Sequence, residues 1–375
     1  MKHAILISLY FGSIFSAAAQ IKNVAEKFAL PNSLSESSGA IFFNDKLITH
    51  NDSGGENKLF ELDTISGLVT RTVTISNATN VDWEDITQDD SNIYIGDFGN
   101  NVSGNRTDLK IYKISKTDYI TTTSVTAETI SFSYVDQTDF TATTANNTEW
   151  DAEALVSFDA TNLILFTKNW VNGTTKGYLI PKFQGTYSVS PLTTSLNSDG
   201  LITGGTYNPL SGKLYLVGYT NPTLQPFVWV CDNFNGSDIF SGTNTKTSLS
   251  SLSFEQAEAI TFVSENRYFI TSESFSQSFL SDYAKLIAFS TSDTTLSLES
   301  DSMEEEVVLY PNPVSDSLNI QGNNIILVEV YDTKSVLLYK GQPAFIDMSV
   351  FSEGVYFVKI NSMDGTSLIK KILKK

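Results

Sequence analysis

The chain has 375 residues, 41% hydrophobic and 18% charged, with a formal net charge of −18 and a pI near 4.4. This composition suits a packed globular protein with room for one large and one small domain. It excludes nucleic acid as a partner, because phosphate binding needs clustered Lys and Arg.

Lys2 and His3 precede an apolar run from Ala4 to Phe15, and Ala17-Ala18-Ala19 gives a small-residue cleavage pattern before Gln20. These residues predict a signal peptide over 1–19 and export to the periplasm. The run is too short to span a bilayer, and no later stretch reaches transmembrane length. Cys231 is the only cysteine, so no intramolecular disulfide can form; in Val228-Trp229-Val230-Cys231 it reads as a small buried hydrophobe. After removal of the leader His50 is the only histidine, which sets aside most zinc and histidine-dyad chemistry.

From Gln20 onward the chain is a succession of short β-rich runs separated by Gly, Asn and Asp clusters. The runs group into units of roughly fifty residues, a spacing that suggests propeller blades. The first unit spans Leu34 to Ile75, the second Val81 to Tyr134 and the third Trp150 to Leu196, after a polar insertion at Thr141 to Thr148. The fourth opens at Leu201-Ile202-Thr203-Gly204-Gly205, and the fifth runs from Phe254 to Phe289. The fifth shows three strands, and Val24 to Leu30 is the candidate for its fourth, a closure that removes exposed sheet edges. The expectation is an all-β chain with a β-propeller over 20–290. Five repeats are visible, and the interval between the second and third units leaves room for a sixth blade.

A glutamate recurs shortly ahead of a β-rich run: Glu36, Glu84, Glu153 and Glu258, with Gly204 at that place in the fourth unit. The innermost strand of a propeller blade lines the channel, so residues recurring at its start form a ring near the axis. Carboxylates gathered there resist ionisation unless a cation compensates, and calcium accepts six to eight oxygen ligands in loose geometry. The candidate calcium ligands are therefore Glu36, Glu84, Asp85, Asp97, Glu153 and Glu258. Asn51, Asp52, Asn100 and Asn101 are candidate ligand-binding residues beside them. His50 and Glu84 are the candidate catalytic residues: a bound cation polarises an ester or phosphate oxygen, and either group could act as base. Two alternatives stay open. The glutamates can be structural fasteners of a non-catalytic surface module, which binds a small molecule or glycan; paired carboxylates also suit a glycosidase.

After about Ser290 the composition turns to Ser, Thr and Asp, then Glu304-Glu305-Glu306, predicting a linker over 291–306. Short alternating strands follow over 307–375 and predict a small β-sandwich.

Two family resemblances emerge. Tyr310-Pro311-Asn312-Pro313, the strand opening Gly354-Val355-Tyr356 and the Lys-rich end from Leu368 to Lys375 resemble the C-terminal sorting domain of cargo of the type IX secretion system of Bacteroidota. That resemblance implies recognition of 307–375 by the secretion machinery and a secreted or outer-surface location. The motifs Asn51-Asp52-Ser53-Gly54-Gly55, Asp82-Trp83-Glu84-Asp85-Ile86, Gly96-Asp97-Phe98-Gly99-Asn100-Asn101 with Arg106, and Asp151-Ala152-Glu153-Ala154-Leu155 resemble secreted phytase-like or esterase-like propellers. This second resemblance implies one propeller domain, with an ester or phosphoester hydrolase as its associated activity.

Overall fold

Five sheets, each built on four antiparallel strands, follow one another along residues 22–290 of the computed structural model. The structure describes residues 21–277, 280–293, 307–322, 325–333, 336–342, 344–362 and 367–375. The expected signal peptide and positions 294–306 of the expected linker lie outside them. The chain divides into two compact units, Met1–Thr295 and Leu296–Lys375.

Sheet one is Ser37–Phe43, Lys46–Asn51, Lys58–Asp63 and Val69–Ile75; sheet two is Trp83–Gln88, Asn92–Asp97, Lys110–Ser115 and Glu128–Tyr134. Sheet three is Ala152–Ser157, Asn162–Thr167, Thr174–Pro181 and Pro191–Asn197; sheet four is Leu201–Asn208, Lys213–Tyr219, Pro226–Asp232 and Thr243–Ser248. Sheet five contains Gln256–Ser264, Arg267–Glu273 and Lys285–Ser290, and its fourth strand is the N-terminal Lys22–Ala29, paired antiparallel to Lys285–Ser290. The fourth strand expected from Val24–Leu30 is thus present, and the two ends of the repeat region meet in one sheet. Order runs past Ser290: Thr291 and Asp293 are buried, and Asp293 accepts from Lys213 Nζ at 2.9 Å, so the first residues of the expected linker belong to this unit.

Each sheet is covered on both faces. The second strands are therefore buried without alternation, as in Leu163-Ile164-Leu165-Phe166. Separate apolar clusters fill the spaces between sheets one and two, two and three, three and four, four and five, and five and one. The first strand of each sheet packs against the first strands of its two neighbours, with sheet five returning to sheet one. The unit is all-β and propeller-like. Two short strands, Ser124–Val125 and Gly185–Val189, add in parallel to the outer edges of sheets one and two, so each of those sheets holds a segment from the next repeat.

The second unit contains a three-stranded sheet (Val308–Tyr310, Ser317–Gln321, Phe345–Asp347) and a four-stranded one (Leu337–Gly341, Ile325–Tyr331, Gly354–Ser362, Ser367–Lys374). Both contribute to one core that includes Leu318, Ile346, Val330 and Val358. Asn312 joins the opening motif to the terminal strand: its Oδ1 accepts from Leu373 N at 2.9 Å and its Nδ2 donates to Lys371 O at 3.0 Å. Asn312→Ala should cost about 1 kcal/mol and speed amide exchange at Leu373 about fivefold in the full chain. Unchanged exchange would show that these bonds contribute nothing.

Candidate cation site at the inner-strand entrances

The first strand of every sheet carries a β-bulge at its start, seen as a one-residue slip against the second strand. The extra residues are Ser38, Glu84, Glu153, Thr203 and Glu258. This is the shared structural address, and it corrects the sequence alignment at two places. Ser38 stands there instead of Glu36, and Thr203 instead of Gly204. Both hydroxyls serve as fasteners between sheets: Ser38 Oγ donates to Glu84 O at 2.5 Å, and Thr203 Oγ1 to Ala257 O at 2.5 Å. Bulges re-aim side chains, here toward one mouth of the ring.

The residues just after the bulges are Gly39, Asp85, Ala154, Gly204 and Ala259. Four are small because neighbouring strands approach closely; a Cβ on Gly204 would lie 2.5 Å from Glu258 O and 2.9 Å from Ala259 Cα. The fifth, Asp85, reaches across the ring. Its Oδ1 accepts from its neighbour Ile86 N at 2.8 Å, and its Oδ2 accepts from Leu155 N of sheet three at 2.8 Å and Gly205 N of sheet four at 3.4 Å. It is fully buried. Burial pushes its carboxyl well above the usual carboxylate range, against the pull of the three amides.

Because the second strand of each sheet runs antiparallel to the first, its end reaches the same mouth. The residues at or just past those ends are Asp52, Asp97, Lys168, Tyr219 and Glu273. Two groups of carboxylates have ligand atoms mutually within 4.8 Å: Asp52, Asp82 and Glu84, and Glu84, Asp151 and Glu153. Glu84 Oε1 is buried and has no hydrogen-bond partner among the described residues. Gly99 makes room for it, since a Cβ there would collide with Glu84 Oε1 and Asp82 Oδ2. Asp151 is more fully engaged, accepting from Asn100 N at 2.7 Å through Oδ1 and from Trp170 Nε1 at 2.7 Å through Oδ2. Lys168 Nζ lies 2.6 Å from Glu153 Oε2 and 3.9 Å from Glu258 Oε2.

The mouth is electrostatically overloaded. Burial and neighbouring carboxylates push Glu84 well above the usual range, and Glu153 rises for the same reasons despite Lys168. Burial raises Asp52 to about 6, with Asp151 and Glu36 adding to it, and raises Asp82 to about 7 with help from Asp52 and Asp151. Glu258 is pushed up to about 7 by burial against the pull of Lys168, and desolvation raises the half-buried Glu273 well above its ordinary value, with Glu258 and Asp52 adding to it. Burial works against the charge on Lys168, but Glu153 and Glu258 outweigh it and hold the ammonium protonated. One lysine does not neutralise so many acids. The buried carboxylates suit an oxygen-seeking cation such as calcium.

Of the candidate ligands read from sequence, the structure gathers Glu84, Glu153 and Asp52 in these groups and sets Glu258 against Lys168. Glu36 is exposed and contributes field only, beside Asp52 and Glu273. Asp97 is paired with Arg106 Nη2 at 2.8 Å, and Arg106 Nη1 donates to Gly99 O at 2.8 Å, so this pair holds the Gly99–Asn100 turn. Asn51 donates to Ser33 O at 2.8 Å. Asn100 bridges to Trp150 O at 3.2 Å and Arg106 N at 2.9 Å, and Asn101 accepts on its backbone from Asn146 at 2.8 Å. His50 is fully buried, edge-on to Trp83 at 5.5 Å, with Nδ1 at 3.1 Å from Asn51 O. Burial lowers its pKa to about 4, so it is a neutral packed imidazole at pH 7. Lys168, Glu273 and Asp82 were not among the predicted ligands. Asp82 stood beside Glu84 in the recurrent motif, while the other two are visible only once strand ends are matched across each sheet.

A cavity of about 970 Å³ opens at the opposite end of the inner strands. Phe42, Phe158, Tyr207 and Phe262 from four sheets line it, together with Gln88 of the remaining one. Asp85 lies between this cavity and the acidic mouth.

No curated protein matches the chain. Among solved structures, the PQQ-bound aldose sugar dehydrogenase of Streptomyces coelicolor shares 9% identity at TM-score 0.44, covering 73% of this chain and all (100%) of that one. The Malassezia sympodialis allergen Mala s 1 shares 9% at TM-score 0.42, covering 75% and 99%. PorZ, a surface component of the type IX secretion system of Porphyromonas gingivalis, shares 14% at TM-score 0.31, covering 98% of this chain and 47% of that one. At these values none indicates what this chain binds or transforms. No helix among the described residues is long and apolar enough to cross a membrane. Residues 308–375 match the family described as the secretion system C-terminal sorting domain, so the chain carries a type IX sorting tail, which supports export to the cell surface or secretion.

Proposed function

We propose that the first unit is a five-bladed β-propeller delivered to the cell surface or medium by its sorting tail, and that its acidic mouth holds a calcium ion on Asp52, Asp82 and Glu84. In this reading the ion is a staple that ties sheets one and two together, and the propeller is a binding module for a small molecule or glycan. The observation that carries it is the buried, partnerless Glu84 Oε1 inside a group of carboxylates that one lysine does not neutralise. Calorimetric titration of the chelator-treated full chain with calcium should show one ion per chain. Absence of any binding heat and of any thermal shift would sink the reading.

A catalytic use of the same ion draws on one feature: Asp52 is only half-buried, so one side of the group faces outward. An ion there would polarise an ester or phosphate oxygen. A panel of aryl esters, aryl phosphates and phytate, assayed on wild type and Glu84→Gln, separates the two uses. The binding module predicts equal background rates, whereas a hydrolase predicts at least a hundredfold loss in the variant.

A further inference from the structure

Glu84 belongs to both carboxylate groups, one with Asp52 and Asp82 and one with Asp151 and Glu153. Two groups of oxygens sharing one carboxylate are the layout of a site for two bridged divalent cations. The two halves are not equivalent. The Asp52–Asp82 half contains the partnerless Glu84 Oε1, and no side-chain cation lies within ion-pair distance of any of its three acids among the described residues. In the other half Lys168 Nζ sits 2.6 Å from Glu153 Oε2, and both oxygens of Asp151 already accept N–H bonds. Lys168 is itself buried, with its ammonium 5.1 Å from the Trp170 ring centroid and 5.5 Å from that of Tyr219. A lysine so enclosed between two rings and two glutamates has lost the freedom of a surface residue, and its charge is fixed in place.

The geometry points to Lys168 as a resident cation that fills the second metal position and limits the mouth to one divalent ion. The inference rests on the calcium reading above, deepens it, and can fail independently of it. An ammonium is a compact point charge on a flexible stem, so it substitutes for the charge of an ion but not for its coordination number. Removing it leaves Glu153 and Glu258 uncompensated beside Asp151, which is a demand for a second ion.

The test is the calcium stoichiometry of the full chain, measured by calorimetry after chelator treatment. Wild type and Lys168→Arg should each bind one ion, and Lys168→Met should bind two. One ion in wild type and still one in Lys168→Met would overturn the inference while leaving the calcium reading intact; none in wild type would overturn both. If Lys168→Met does not fold even with calcium, Glu153→Gln decides. Retention of the single ion with less than a tenfold change in affinity supports the assignment, whereas loss of the ion places it on Glu153 and overturns it.

Discussion

Asp85→Ala should lower the melting temperature of the first unit by roughly 10 °C. The carboxylate is buried and its two oxygens accept three backbone N–H groups, from Ile86, Leu155 and Gly205. Alanine would leave those amides without an acceptor in a space too enclosed for ready hydration. An abandoned buried donor costs about 1–3 kcal/mol, so three of unequal geometry cost roughly 3–5 kcal/mol together. For a unit of this size 1 kcal/mol corresponds to about 2–4 °C. Two of the three amides belong to other sheets, so the loss should loosen the contacts of sheet two with sheets three and four. Asp85→Asn keeps one carbonyl acceptor and should lose about half as much. A melt of Asp85→Ala within 2 °C of wild type would show that the cross-ring bonds carry no stability.

The second large effect is the response to calcium. At a free concentration one hundredfold above Kd, a single ion stabilises the folded state by about 2.7 kcal/mol, a shift of roughly 5–10 °C. Glu84→Gln should abolish the shift. It should also leave the calcium-free protein at least as stable as wild type, because it removes one of several mutually repelling buried charges. The pH dependence follows from the raised carboxylates. Asp52 near 6 and Asp82 and Glu258 near 7 hold protons in the folded chain that the unfolded chain releases near 4. The calcium-free protein should therefore be most stable at low pH and lose stability as pH rises from about 4 to about 7. Calcium should flatten that slope by replacing protons. A calcium-free melt that rises over this interval would contradict the crowding of the mouth.

Much of the architecture was legible along the chain, because strand pairing between neighbours in sequence needs only alternation, turn residues and spacing. The closure by Lys22–Ala29 was legible too, as a fifth unit one strand short beside an unassigned β-rich segment. The parallel additions of Ser124–Val125 and Gly185–Val189 were not, since nothing in segments of two and five residues says which sheet edge they meet. The site was half legible. Glu84, Glu153 and Glu258 stood out because a bulge residue in three sheets kept one residue type. Glu36 and Gly204 were misplaced at that address because a one-residue bulge shifts the register without any mark in the sequence. The hydroxyls of Ser38 and Thr203 do the same local work there with different chemistry.

The sequence by itself determined the β-rich repeats, the scarcity of histidine and cysteine that narrows the chemistry, and the motifs of the sorting tail. These depend on local propensity and on residue type alone. Which carboxylates share a space was decided only by the tertiary structure. Antiparallel pairing brings the end of each second strand, with Asp52, Lys168 and Glu273, to the start of the first, and the cyclic packing of five sheets then sets those ends around one mouth. Charge crowding depends on distances of a few ångströms between residues far apart in the chain, and only the packed sheets set those distances.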